Sequence, residues 1–204
     1  MIADEVFYFY KKAIPHKICD EIISYGNSLI KEKAAIGNLD PNKAKTVRPL
    51  KKTEKEKHYK IRKSKIAWIK DPWVYREIQP YIYKANSDAK WNFQLHGFEA
   101  IQFTQYAKNE HYDYHVDTFF GCGDQTRKLS MTVNLSNPND YQGGDLYFKY
   151  LQRHNHVLIE HTAEELREKG TVCVFPSYEA HKVTPVTKGV RHSLVLWSTG
   201  KEFK

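Results

Sequence analysis

FEAIQFTQYAKNEHYDYHVDTF, residues 98–119, alternates apolar and polar side chains, pauses at Lys108-Asn109-Glu110, and alternates again. A period of two marks a half-buried strand, so the stretch reads as two strands, Phe98 to Tyr106 and Tyr112 to Phe119. Similar short runs continue downstream at Lys128 to Leu135, Asp145 to Tyr150, His156 to Glu160, Gly170 to Pro176, His181 to Val186 and Arg191 to Trp197. Turn residues separate them: Gly121-Cys122-Gly123, Asn137-Pro138-Asn139-Asp140, Gly143-Gly144 and Lys188-Gly189. Eight strands at this spacing suit a double-sheet jelly roll. The expected fold class is therefore mainly β with flanking helices, built on a double-stranded β-helix (jelly roll) core.

Upstream the pattern changes. Residues 4–10 resemble a short strand, and Pro15 opens a segment with Ile18, Ile22, Ile23 and Leu29 at helical spacing that ends near Gly37. Asn42 to Lys60 is polar enough for a loop, and Ile61 to Ile69 reads as a strand. Asp71-Pro72 starts a second helix with Trp73, Ile78, Tyr81 and Ile82 on its apolar side, and Thr162 to Lys169 suggests a short helix between strands. The expected organisation is one domain over 1–204, with a helical and basic support region at 1–92 and a jelly-roll catalytic core at 93–198.

A chain of 204 residues can bury roughly 70% of its unfolded surface, and fourteen Tyr with four Trp supply the packing groups of a folded protein. The acids of the N-terminal MIADEVFYFY do not suit a signal peptide, and no run approaches the roughly 20 apolar residues of a membrane span. Cys19, Cys122 and Cys173 are odd in number and lack metal-type spacing, which disfavours a disulfide framework. A cytoplasmic location is expected, host cytoplasm if the gene is phage-borne. The net charge of +8 is concentrated, since residues 43–70 carry twelve Lys or Arg against two Glu. Such a run is a solvated face or a dock for an acidic protein or phosphate backbone.

The chemistry sits in HYDYHVD, where His111, Asp113, His115 and Asp117 occupy every second position. On a strand these share one face, so either His-x-Asp pair can offer an imidazole and a carboxylate to one metal. The pair alone is a weak signal. A third ligand is supplied by FPSYEAHKVTPVTKGVRHSLVLW, in which His181 opens one strand and Arg191 begins the next, brought close by a hairpin at Lys188-Gly189. Two His and one carboxylate with open positions mark non-heme Fe(II) oxygenases. An inward-facing arginine in such a site wants an anion, and 2-oxoglutarate has a second carboxylate to offer after its keto acid end chelates iron.

In order and spacing, Tyr106, His115-Val116-Asp117, Arg127, Gly143-Gly144, His181, Arg191 and Trp197 resemble the motif string of the prolyl 4-hydroxylases, especially bacterial and phage-type PKHD hydroxylases. The resemblance runs from Ile61 to Trp197. Tyr106 stands nine residues before His115, which selects the second pair, so it implies His115, Asp117 and His181 as iron ligands and catalytic centre. It further implies that Arg191 and Tyr106 bind 2-oxoglutarate and that Tyr112, Arg127 and Trp197 lie along the substrate groove. The implied reaction hydroxylates a prolyl residue of a peptide or protein with Fe(II), 2-oxoglutarate and O2, ascorbate keeping iron reduced, and releases succinate and CO2. The basic stretch adds the expectation of an acidic partner. Two departures are Lys108-Asn109-Glu110, where relatives often have Gly, and Asn134, where some have Tyr. The rival readings are the same chemistry on alkylated nucleic acid, suggested by the pI near 9.2, and a metal-free jelly-roll binding module.

Overall fold

Period-two segments outnumber helical ones in the sequence, and the chain folds accordingly. In this computed structural model the described residues are 6–30, 32–33, 59–118, 125–151 and 157–202. Among them, in chain order, come β1 (Tyr8–Tyr10), α1 (His16–Leu29), β2 (Glu32–Lys33), β3 (Arg62–Lys63), β4 (Lys65–Ile69), α2 (Pro72–Asp88), β5 (Gly97–Phe98) and β6 (Ile101–Tyr106). There follow β7 (His111–His115), β8 (Gln125–Asn134), β9 (Tyr141–Gly143), β10 (Leu146–Leu151) and β11 (Leu158–His161). The chain ends with β12 (Val172–Pro176), β13 (Ala180–Val183), β14 (Val186–Gly189) and β15 (Arg191–Lys201). Mainly β structure with helices is what the patterning called for.

The pairing of these strands corrects the expected core. One sheet runs β1-β12-β8-β15-β6-β4-β2 with β5 added to β15, a second runs β11-β10-β13-β7-β3, and β14 with β9 forms a separate ribbon. Among the described residues neither order returns to its first strand, so the sheets are open and do not close into a barrel, and the double-stranded β-helix (jelly roll) core is not what forms. Alternation and turn residues locate strands but do not say which edges meet. Here β1, β2 and β4, all from the N-terminal region, extend the large sheet outward at its two ends.

The large sheet has two apolar neighbours. Leu194 and Leu196 of β15 and Leu129, Met131 and Val133 of β8 join the helix-side core, whereas Arg191, Ser193, Val195 and Trp197 of β15 and Thr132 of β8 line a cavity on the opposite face. Strict alternation thus gives one face to packing and the other to chemistry. Cys19, Ile22 and Gly26 form the buried stripe of α1, and Val74, Ile78, Ile82 and Ala85 that of α2. Gly26 is required by close approach, because a Cβ there would lie 2.4 Å from the Phe103 ring. A second core of Leu146, Phe148, Phe175 and Val183 fills the space between the sheets.

Several local expectations shift. α1 stops at Leu29 with Ile30 extended, short of Gly37, and the helix expected after Thr162 is a 3-10 turn over Glu164–Arg167. Lys188 and Gly189 do not make a hairpin; they belong to β14, paired with β9, after which the chain crosses to the other sheet. His181 and Arg191 therefore stand on different sheets facing one cavity. The first residues of the 4–10 strand, residues 42–58 of the loop expected over Asn42 to Lys60, residues 43–58 of the basic run 43–70 and the turn Gly121-Cys122-Gly123 lie outside the described residues. Cys19 and Cys173 are buried free thiols. Among the described residues no helix is long and apolar enough to cross a membrane.

Candidate metal centre

β7 and β13 are antiparallel neighbours with His115 opposite His181, but the register slips between His181↔His115 and Val183↔Tyr112. An extra residue in β7 breaks its alternation, as a β-bulge does. Tyr112 and His115 consequently both face the cavity, their rings stacked at 3.4 Å, while Asp113 is exposed. The strand ends at His115, and Asp117 is held beyond it by its own N–H donating to the Ser177 carbonyl at 2.8 Å. His111 turns to the Lys60 carbonyl instead, 3.0 Å away. Of the two His-x-Asp pairs, the structure gathers the second.

His115, Asp117 and His181 each offer a ligand atom, all within 4.8 Å of one another. The Nδ1–H of His115 donates to the Asp113 carbonyl at 2.8 Å and that of His181 to the Glu179 carbonyl at 2.9 Å. A carbonyl only accepts, so each ring carries a proton on Nδ1 and turns its Nε2 toward Asp117. Those Nε2 atoms lie 3.5 and 3.7 Å from the Asp117 carboxylate oxygens. Burial, reinforced by His115, pushes His181 down to about 4 from 6.5, so its ring is neutral at pH 7. Burial opposes ionisation of Asp117, yet His181, His115 and Arg127 outweigh it and hold the carboxyl well below its usual range. Two imidazole nitrogens and a carboxylate converging on one point fit a divalent cation.

The carboxylate is itself oriented. Its Oδ2 accepts from Ser130 Oγ at 2.7 Å and from the Trp197 indole N–H at 2.9 Å. Because Ser130 spends its only proton there, Ser177 Oγ, 2.9 Å away, is the donor to Ser130. With Oδ2 occupied twice, Oδ1 is the oxygen left for a metal. Replacing Ser130 with Ala is expected to weaken divalent-metal affinity about 10–100-fold, the usual cost of losing such a partner. Titration of the apo-protein with Co(II) or Fe(II) checks this, with circular dichroism to verify the fold.

Arg191 opens β15, directly across from Tyr106 on β6. It is 4% exposed, and its Nη1 donates to Ser193 Oγ at 3.2 Å. Among the described residues no carboxylate pairs with it, which leaves a buried cation facing the cavity beside the Tyr106 ring, 5.7 Å away. Gly144, at φ +66°, makes room for it: a Cβ there would stand 3.0 Å from Arg191 Cδ. Such a guanidinium fits a carboxylate-bearing ligand. The three residues expected along a substrate groove also line this cavity, each already engaged. Tyr112 stacks on His115, Trp197 holds Asp117, and Arg127 makes a bidentate pair with Glu99 at 2.8 and 2.9 Å while lying 3.8 Å over the Trp197 ring.

Sequence reasoning missed Ser130, Ser177, Glu99 and Arg62. Ser130 carried a signal, a small polar residue at an inward position between Leu129 and Met131. Arg62 was hidden in a run of lysines. At the first departure, Asn109 adopts a left-handed conformation at φ +64° and the Glu110 carboxylate accepts the Ala107 N–H at 2.9 Å, so the turn forms without glycine. At the second, Asn134 donates to the Ser136 and Arg167 carbonyls and lies outside the cavity lining.

This geometry has known relatives. Residues 101–199 match the family model of the 2OG-Fe(II) oxygenase superfamily. Curated proteins that match carry the name PKHD-type hydroxylase. The chain is 34% identical over 101 residues to a PKHD-type hydroxylase of Shewanella frigidimarina, covering 47% of this chain and 41% of the relative. It is 33% identical over 109 residues to PKHD-type hydroxylase YbiX of Escherichia coli, covering 50% of this chain and 44% of that one. The matches thus span less than half the length of these relatives. The fold is shared with a Pseudomonas putida prolyl-4-hydroxylase at TM-score 0.62 and 20% identity, over 99% of this chain and 95% of the other. It is shared equally with a viral collagen prolyl hydroxylase from Paramecium Bursaria Chlorella virus-1, at TM-score 0.63 and 16% identity, over 98% and 99%.

Proposed function

We propose that this chain is an Fe(II)- and 2-oxoglutarate-dependent dioxygenase that hydroxylates a prolyl residue in a peptide or protein. The observation that carries the reading is the His115–Asp117–His181 cluster sharing one cavity with Arg191, a buried arginine that lacks a carboxylate among the described residues. The iron would be held by His115 Nε2, His181 Nε2 and Asp117 Oδ1. Bound iron with 2-oxoglutarate and O2 supplies oxidative decarboxylation to succinate and CO2, coupled to insertion of one oxygen atom into a C–H bond. Arg191 and the Tyr106 hydroxyl would take the far carboxylate of the co-substrate. Leu146, Phe175 and Val183 give the cavity apolar walls that exclude water from the reacting centre.

On this reading Tyr112 and Trp197 have two duties, orienting the metal ligands and packing against the prolyl ring, and Arg127 backs Trp197 from the far side. Residues 1–92 and 93–198 would act as one domain, because α1, α2, β1 and β4 pack on or join the sheet that carries Arg191 and Trp197. The test is succinate formation from 2-oxoglutarate with Fe(II) and ascorbate, with and without a proline-rich peptide. Peptide-stimulated turnover and a peptide heavier by one oxygen atom are expected. An absence of iron-dependent turnover would overturn the reading.

A further inference from the structure

Arg62 has no role in the chemistry described so far. It sits on β3, the edge strand of the smaller sheet, and is 7% exposed. Its Nε donates to Ser64 Oγ at 3.1 Å and its Nη2 to Gln102 Oε1 at 2.6 Å, both neutral acceptors. Its guanidinium lies 4.6 Å over the Tyr112 ring, which in turn stacks on His115. Two of five N–H groups are thereby used, and no carboxylate pairs with Arg62 among the described residues. Nη1 has no hydrogen-bond partner among the described residues, and Arg62 lines the cavity.

Three arginines line the cavity, and Glu99 neutralises Arg127, which leaves Arg62 and Arg191. A 2-oxoglutarate molecule has two carboxylates, of which the one at the metal needs no arginine and the other needs one. Arg191 stands on β15 between β6 and β8, in the interior of the large sheet, and is the enclosed choice. Arg62, on a sheet edge over the metal-side Tyr112, is left for another anion.

We propose that Arg62 is a specificity-determining residue that receives a carboxylate of the substrate close to the residue being oxidised. This rests on the dioxygenase reading and narrows its substrate class to peptides with an acidic side chain or a free α-carboxylate near the target. The planar fork suits either source, and Tyr112 and Gln102 hold it in one orientation, which lowers the cost of binding.

The experiment uses the full chain with Fe(II) and 2-oxoglutarate and four peptides: proline followed by Asp or by Asn, each ending in a carboxylate or an amide. The wild type is expected to prefer a carboxylate-bearing peptide by about 10- to 100-fold in kcat/KM, the range for a hydrogen bond to a charged group. Which arm responds identifies the carboxylate. In Arg62→Gln the preference should fall to about 1, and in Arg62→Lys, which keeps the charge without the fork, it should be intermediate. Calorimetric binding of the same peptides gives a readout independent of turnover. A wild type indifferent to all four peptides, an Arg62→Gln that keeps the preference, or a substitution whose main effect is a higher co-substrate requirement would overturn the inference. Carboxylate-selective binding that depends on Arg62, in a protein without iron-dependent succinate release, would keep this site and remove the dioxygenase reading instead.

Discussion

Replacing His181 with Ala is expected to lower iron-dependent succinate release by more than about 100-fold. Loss of an outer partner alone costs roughly 10–100-fold in metal affinity or activity, and His181 would be a direct ligand. The ring is 6% exposed and packed at 4.6 Å against Phe175. Metal titration of the variant separates lost binding from lost chemistry. Stability gives a second reading. The buried imidazole has its pKa lowered to about 4 from 6.5, so between those values the unfolded chain takes up more protons than the folded one. Stability of the apo-protein is complete above 6.5 and falls as pH drops toward 4. His192, likewise held down to about 4 mainly by burial, contributes in the same window, so in the variant the decline should be shallower rather than absent. Urea midpoints across this range check the sign; wild-type turnover in the variant would remove His181 from the ligand set.

How far the sequence could be read follows from what each pattern encodes. Alternation marked Arg191–Trp197 as a strand with Arg191 inward, and the structure puts Arg191 at the cavity, since side-chain direction in a strand is a local property. Edge pairing is not local, which is why open sheets replaced the closed core and why Lys188-Gly189 proved to be strand rather than hairpin turn. His111, Asp113, His115 and Asp117 do not share the face that their spacing promised, because the bulge in β7 is set by pairing with β13 and is invisible in one strand alone. The gathering of His115, Asp117 and His181 was legible only with the motif spacing added. Trp197 was read as a groove residue, and its indole N–H turns out to hold Asp117. An aromatic ring advertises packing in a sequence, while the direction of its one donor depends on the strand that faces it.

The same logic of buried charge gives the second large effect. Arg191→Gln is expected to raise the concentration of 2-oxoglutarate needed for turnover by roughly 100- to 4000-fold, since breaking one partner of a buried ion pair costs about 3–5 kcal/mol. Arg191→Lys should lose less, keeping the charge but not the fork. The free protein should behave differently. Arg191 is buried with only Ser193 Oγ as a hydrogen-bond partner and no carboxylate among the described residues, so without co-substrate it is a cost rather than a support. The apo variant should therefore melt no lower than the apo wild type, and higher if Gln packs beside Tyr106. Adding 2-oxoglutarate and a redox-inert divalent metal should raise the wild-type Tm by mass action and leave the variant nearly unmoved. A residue that merely packs would show the reverse, a lower apo Tm with ligand stabilisation intact. Measuring both melting shifts thus decides whether Arg191 is kept for the fold or for the anion it faces.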